Sequence, residues 1–130
     1  MTSDAVLDPG TVAELRRAQQ HYDNPTFIRQ LVELFREHAP ARMAQLREAV
    51  AGRDALTLER VAHTLKSNCG MLGASRLAHA CARLEEAGGR AAFGEAAEVL
   101  ADAEREFPRV LEAVAGLMDV TPDVEGDPGG

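Results

Sequence analysis

The sequence is short of cysteine, of extended apolar runs, of β-branched residues and of lysine, and each shortage excludes something. Two cysteines in 130 residues, Cys69 and Cys81, are too few for a disulfide framework and do not form a C-x-x-C pair, so reduced thiols filling core space are expected. No stretch approaches the ~18 to 20 consecutive apolar residues of a membrane span, and MTSDAVLDPG lacks the basic-then-apolar layout of a secretory signal. A cytoplasmic location with no membrane partner follows as the expectation. Val, Ile and Thr together number 17 against 23 Ala and 14 Leu, which favours helix over sheet. Segments 1–10 and 119–130 hold no basic residue but six acids, Asp4, Asp8, Asp119, Asp123, Glu125 and Asp127. The formal net charge of −7 therefore sits at the ends, leaving 15 acids against 14 bases in residues 11–118. A chain so balanced lacks the basic field that nucleic acid requires.

A length of 130 residues suits one domain that buries roughly two-thirds of its extended surface without disulfides or structural metal. Thr11 with Glu14 three positions on forms a capping-box pattern, placing a short helix with Val12 and Leu15 inward. Residues 1–10 are expected to be flexible. Asp23 or Asn24 before Pro25 marks a second start, followed by a stripe of Phe27, Ile28, Leu31, Leu34 and Phe35 that continues through a kink at Pro40 to Met43, Leu46 and Val50. Asp54 caps a third helix with Leu58, Val61, Ala62, Leu65, Cys69 and Leu72 inward, ended by a left-handed Gly73. Ser75 is the expected cap of a fourth, carrying Leu77, Ala78, Cys81 and Leu84 to the Gly88-Gly89 pair. A fifth spans about Ala91 to Met118, with Val99, Leu100, Phe107, Val110, Leu111, Val114 and Leu117 as its buried set, bent or split at Pro108. The remainder, 119–130, reads as an acidic disordered tail. Short connections between long amphipathic helices favour antiparallel neighbours. The expected fold is all-α, an up-down antiparallel four-helix bundle with a short additional N-terminal helix.

The third helix carries the informative face. At about 100° per residue from Leu58, the residues Val61, Ala62, Leu65, Cys69 and Leu72 fall within roughly 60° of it, the core stripe. Lys66 then lies near ~80°, Gly70 near ~120°, His63 near ~140° and Ser67 near ~180°, a contiguous band that meets solvent. A neutral imidazole there offers a ring-nitrogen lone pair as nucleophile or ligand. Lys66, the one lysine in the sequence, sits one turn on and can reach an anion carried by that ring. Ser67 and Gly70 are small and leave the ring unshielded. Glu59 lies at i−4, but no carboxylate adjoins His63 at i±3 or on its C-terminal side, so a self-contained acid-base device looks incomplete.

His63, Lys66, Ser67, Gly70 and Gly73 resemble the pattern of the histidine-containing phosphotransfer (HPt) family. That pattern is a histidine, two residues, a lysine, a small residue, and a Gly-x-x-Gly ending the helix. The resemblance extends to Ala74-Ser75-Arg76-Leu77 with Cys81, Leu84 and Glu85, to the Phe27–Phe35 helix, and to Glu106-Phe107-Pro108-Arg109-Val110. It covers most of residues 11–118. It implies a phosphorelay intermediate in two-component signalling, a phosphocarrier and not an enzyme. His63 would accept a phosphoryl group from the aspartyl phosphate of a receiver domain and pass it to another receiver's aspartate. Lys66 would stabilise the phosphoryl oxygens, while Ser67, Gly70 and Glu59 would belong to the docking surface. Serine at 67, where many members have glycine, bears on docking fit. Receiver domains of response regulators and hybrid kinases are the implied partners. They would bring the magnesium ion, so that this chain binds no cofactor of its own.

The plainer alternatives remain in view. A helical adaptor that docks on a receiver or kinase without carrying phosphate would share the fold. An enzyme using His63 as a base lacks an orienting partner. His21, His38 and His79 are expected to be structural or merely exposed. A metal site from Cys69, His79 and Cys81 is disfavoured because the thiols face inward and His79 does not. Some apolar residues of the first and second helices near His63 are candidates for an exposed docking patch. The chain is expected to act as a monomer through a small mixed interface, and Met1 with the acidic tail favours a free-standing protein over a piece of a hybrid kinase.

Overall fold

Apolar residues spaced at i, i+3, i+4 and i+7 form five α-helices: α1 (Pro9–His21), α2 (Phe27–Ala51), α3 (Ala55–Met71), α4 (Ser75–Gly89) and α5 (Phe93–Asp119). The computed structural model describes residues 5–119, and no strand occurs among them. Apart from Asp119, the tail expected over 119–130 lies outside the described residues, as do residues 1–4.

Three helix starts differ from expectation, and only at α2 does a side chain of another helix take an amide of the first turn. Helix α1 begins at Pro9 and not Thr11: Asp8 is its N-cap, its carboxylate accepting from the Thr11 amide at 2.9 Å. Proline at the first position is favourable because its missing N–H had no helical partner to lose. Residues 5–10 accordingly are not the free segment expected. The Asp8 amide donates to the Gly73 carbonyl at 2.7 Å, and Val6 and Leu7 pack against the core.

Helix α2 begins at Phe27, after an N-cap Thr26 whose own side chain makes no capping bond. The Ile28 amide instead donates to Gln19 Oε1 of α1 at 2.9 Å, so neither Asp23 nor Asn24 is the cap. Asp23 sits in a left-handed turn with φ 51°. A single helix runs through Pro40.

Asp54 caps α3 as expected, accepting from the Thr57 amide at 3.2 Å. Gly73 takes φ +80°, as a terminator should. Ser75 does not cap α4; Ala74 holds that position and the Ser75 hydroxyl turns back to the Gly73 carbonyl. Helix α5 starts at Phe93, after a left-handed Ala91, and continues unbroken through Pro108 where a split was one possibility.

Helix α2 packs on α3 and α5, α3 on α4, and α4 on α5, closing a ring against which α1 touches α2. Its interior is apolar: Met43, Leu46, Leu58, Leu65, Leu77 and Leu84 are fully buried, and no polar or charged residue is buried among the described residues. Each such side chain contributes about 1.5–3 kcal/mol on leaving water, so the ring is held by its core and leaves the outer faces free for polar work. Val61 on α3 is half-buried and Leu34 on α2 is exposed, at the rim of the expected stripes.

Candidate functional site

Helices α3 and α4 approach closely because small residues line their contact. A Cβ on the buried Gly88 would lie 2.9 Å from the Glu59 amide nitrogen and 3.2 Å from the Ala55 carbonyl, so backbone meets backbone at the start of α3. Along the same face of α4, one turn apart each, stand Cys81, Glu85 and Gly88. That register carries Glu85 across to the polar band of α3.

His63 is exposed, with 61% of its side chain accessible, as the helical wheel requires. Its Nδ1 donates to Glu85 Oε2 at 2.9 Å. The other oxygen of the same carboxylate, Oε1, takes Lys66 Nζ at 2.8 Å. One carboxylate thus bridges the imidazole and the ammonium. Glu85 is only 25% accessible, and its pKa is lowered below the ordinary carboxylate range. Lys66 is the largest cause, and the His63 contact adds to it against a partial desolvation that pushes upward. The carboxylate stays charged where it is needed.

The expectation that His63 lacks an orienting carboxylate is therefore corrected: the partner comes from α4 and not from α3. A proton on Nδ1, held by Glu85, leaves the lone pair of neutral imidazole on Nε2. The signal for it was available in sequence, since Glu85 lies four residues after the inward Cys81 and so shares its face.

The remaining band residues stand as follows. Ser67 is exposed and its hydroxyl donates to the His63 carbonyl at 3.3 Å, folded onto its own helix. Gly70 is exposed, and a Cβ there would meet nothing within 4 Å; the fold does not demand glycine at this position. Glu59 is exposed one turn before His63, with its carboxylate over Gly89. Beyond Gly70, between α2 and α3, lies an apolar groove of about 210 Å³ lined by Leu31, Leu34, His38, Asn68 and Met71. Leu34 and Met71 are 55% and 51% accessible. Arg42 Nε donates to Asn68 Oδ1 across it at 3.4 Å.

Other candidates lie apart from this site. Cys69 and Cys81 are free and fully buried. The Cys69 thiol is pushed up by its hydrogen bond with Cys81 and then by burial, which makes it inert as a thiolate. His79 is exposed on α4, and His21 stacks edge-on against Tyr22. No group of three or more metal-ligating side chains occurs among the described residues, and none of their helices is long and apolar enough to cross a membrane.

Comparison with known proteins gives a consistent picture. The model of the Hpt domain family matches residues 30–117, which leaves α1 outside it. The crystal structure of histidine-containing phosphotransfer protein B (HptB) from Pseudomonas aeruginosa PAO1 is similar, with a TM-score of 0.76 and 27% sequence identity. That similarity covers 88% of this chain and 95% of the other. No curated protein matches.

Proposed function

The chain belongs to the Hpt domain family, and from that premise we propose that it is a phosphorelay intermediate whose phospho-accepting group is Nε2 of His63. The observation that carries this reading is the carboxylate of Glu85 shared between His63 Nδ1 and Lys66 Nζ. In the forward step the Nε2 lone pair attacks the phosphorus of a receiver's aspartyl phosphate. The N–P bond forms, the P–O bond to aspartate breaks, and the aspartate leaves as a carboxylate. The ring, still protonated at Nδ1, becomes cationic, and Glu85 stabilises that charge where it develops. Lys66, beside the ring, offers its ammonium to the phosphoryl oxygens. The reverse step delivers the phosphoryl group to a second receiver.

On this reading the chain is a phosphocarrier and not an enzyme. Receivers of response regulators and hybrid kinases supply the magnesium ion and the remaining catalytic groups, and this chain holds no cofactor. The docking surface runs from Glu59 past Ser67 and Gly70 to the apolar groove with Leu34 and Met71, and a transient contact of this size suits exchange between monomeric partners. The ring of helix contacts and the short connections support an up-down antiparallel four-helix bundle with α1 laid beside it.

Incubation with a phosphorylated receiver and Mg²⁺ tests the proposal. Acid-labile, base-stable label is expected on the wild type and absent from His63→Gln. Binding without label on the wild type would assign the chain to the adaptor class instead.

A further inference from the structure

Helices α4 and α5 enclose an open groove of about 610 Å³ lined by Arg76, Arg83, Arg105 and Arg109 together with Asp102 and Glu106. It is distinct from the phosphotransfer face. On the α4 wheel Glu85 points about 170° away from the mean direction of Arg76, His79, Ala80 and Arg83, and neither His63 nor Lys66 lines the groove.

Within it cations outnumber carboxylates. Asp102 is shared by Arg83, at 4.0 Å, and Arg105, while Glu106 takes Arg109 at 3.7 Å. Three guanidinium groups thus divide two carboxylates, and Arg83, Arg105 and Arg109 remain 46%, 72% and 53% accessible. In a folded part that is close to neutral overall, this is a local excess of positive charge made wholly of arginine. Arginine is the side chain whose planar fork matches carboxylate geometry.

We propose that the α4–α5 groove is a docking site for an acidic polypeptide segment lying along it in extended form. The spacing of the arginines favours a polypeptide over a small anion. The groove is open, and Arg105 and Arg109 stand about 6 Å apart, one helical turn. Alternate side chains of an extended strand recur every ~6.6–6.8 Å on one side, so acids at i and i+2 fall opposite successive arginines. Because the groove and His63 face different ways, an acidic partner can be held while the histidine still meets a receiver.

Fluorescence anisotropy with a labelled octapeptide alternating Glu and Ser, titrated with the full chain at low salt, tests this. Saturable binding is expected that weakens about 3-fold in Arg105→Gln and about 10-fold or more in Arg83→Gln/Arg105→Gln, with unchanged helical circular dichroism. Binding should weaken further at high salt. A block peptide of the same composition, four Glu followed by four Ser, should bind less tightly. Saturating peptide should leave the rate of His63 labelling unchanged, which separates this site from the phosphotransfer reading. The proposal is overturned by absence of binding, by equal binding to the double variant, by inhibition of His63 labelling, or by tighter binding of tripolyphosphate or phosphatidylserine vesicles than of the peptide.

Discussion

Glu85 on α4 accepts a hydrogen bond from His63 Nδ1 on α3 at 2.9 Å, across 22 residues of sequence. The contact orients the ring and selects the nitrogen left to react. Glu85→Ala is expected to slow phosphoryl acceptance about 10- to 100-fold, by analogy with a metal-bound histidine that loses its outer carboxylate partner. Glu85→Gln should fall between that variant and the wild type, because its amide oxygen still accepts from Nδ1 but carries no charge. Rapid-quench labelling measures the rates. Circular dichroism should show the same helix content in all three, since Glu85 is no part of the apolar core.

Lys66→Ala should separate charge from positioning. Lys66 lies off the core and is partly exposed, so little stability should be lost. Transfer should slow by about 10-fold, the size of one charge-assisted contact in the transition state, or about 1.4 kcal/mol. Arginine at this position should restore part of the rate, since it keeps the charge but not the compact ammonium. A large drop in melting temperature would place Lys66 in the fold and not at the site.

Acid should weaken the Glu85 contacts in a definite direction. Its folded-state pKa lies below the ordinary value, with Lys66 as the largest cause. The stabilisation is then fully present above the unfolded-state value of about 4.3, and is lost as pH falls through the lower folded-state value. In a His63→Gln background, which removes the titration of the ring, the stability difference between Glu85 and Glu85→Gln should shrink as pH is lowered from about 5 to 3. Urea denaturation at each pH measures it. A difference that grows over that interval would contradict the assignment.

Gly70 separates folding from docking. A Cβ there meets nothing, so Gly70→Ala should fold normally and gain up to about 1 kcal/mol from helix propensity. Gly70→Arg should also fold, yet it should raise a long side chain on the docking face and reduce transfer from a receiver by about 10-fold or more. Equal rates for glycine and arginine would remove Gly70 from that surface.

What could be seen in the sequence follows from the range of the interactions. Core stripes, the Asp54 cap and the left-handed Gly73 are local, and periodicity with residue type was enough to place them. The exposed His63 and its neighbour Lys66 followed from the same wheel. The start of α1 was legible, since Asp8 before Pro9 is a local cap that was passed over for Thr11; that of α2 was missed because its hydrogen bond is less local, Gln19 of α1 reaching Ile28 across the turn. Glu85 was missed as a site residue for a similar reason. A search confined to α3 cannot find a carboxylate on α4, although Cys81 at i−4 marks the face. Gly88 looked like half of a terminating pair, and only the close approach to Glu59 explains why it is buried inside the contact.

The most direct test is the position of the phosphoryl group itself. Two-dimensional ¹H–¹⁵N spectra of the chain, labelled in histidine and phosphorylated by a receiver, resolve the two ring nitrogens of each of its four histidines. Phosphorylation of Nε2 of His63 alone, with Nδ1 still protonated, is the predicted result. A phosphoryl group on Nδ1, or on His21, His38 or His79, would contradict the account.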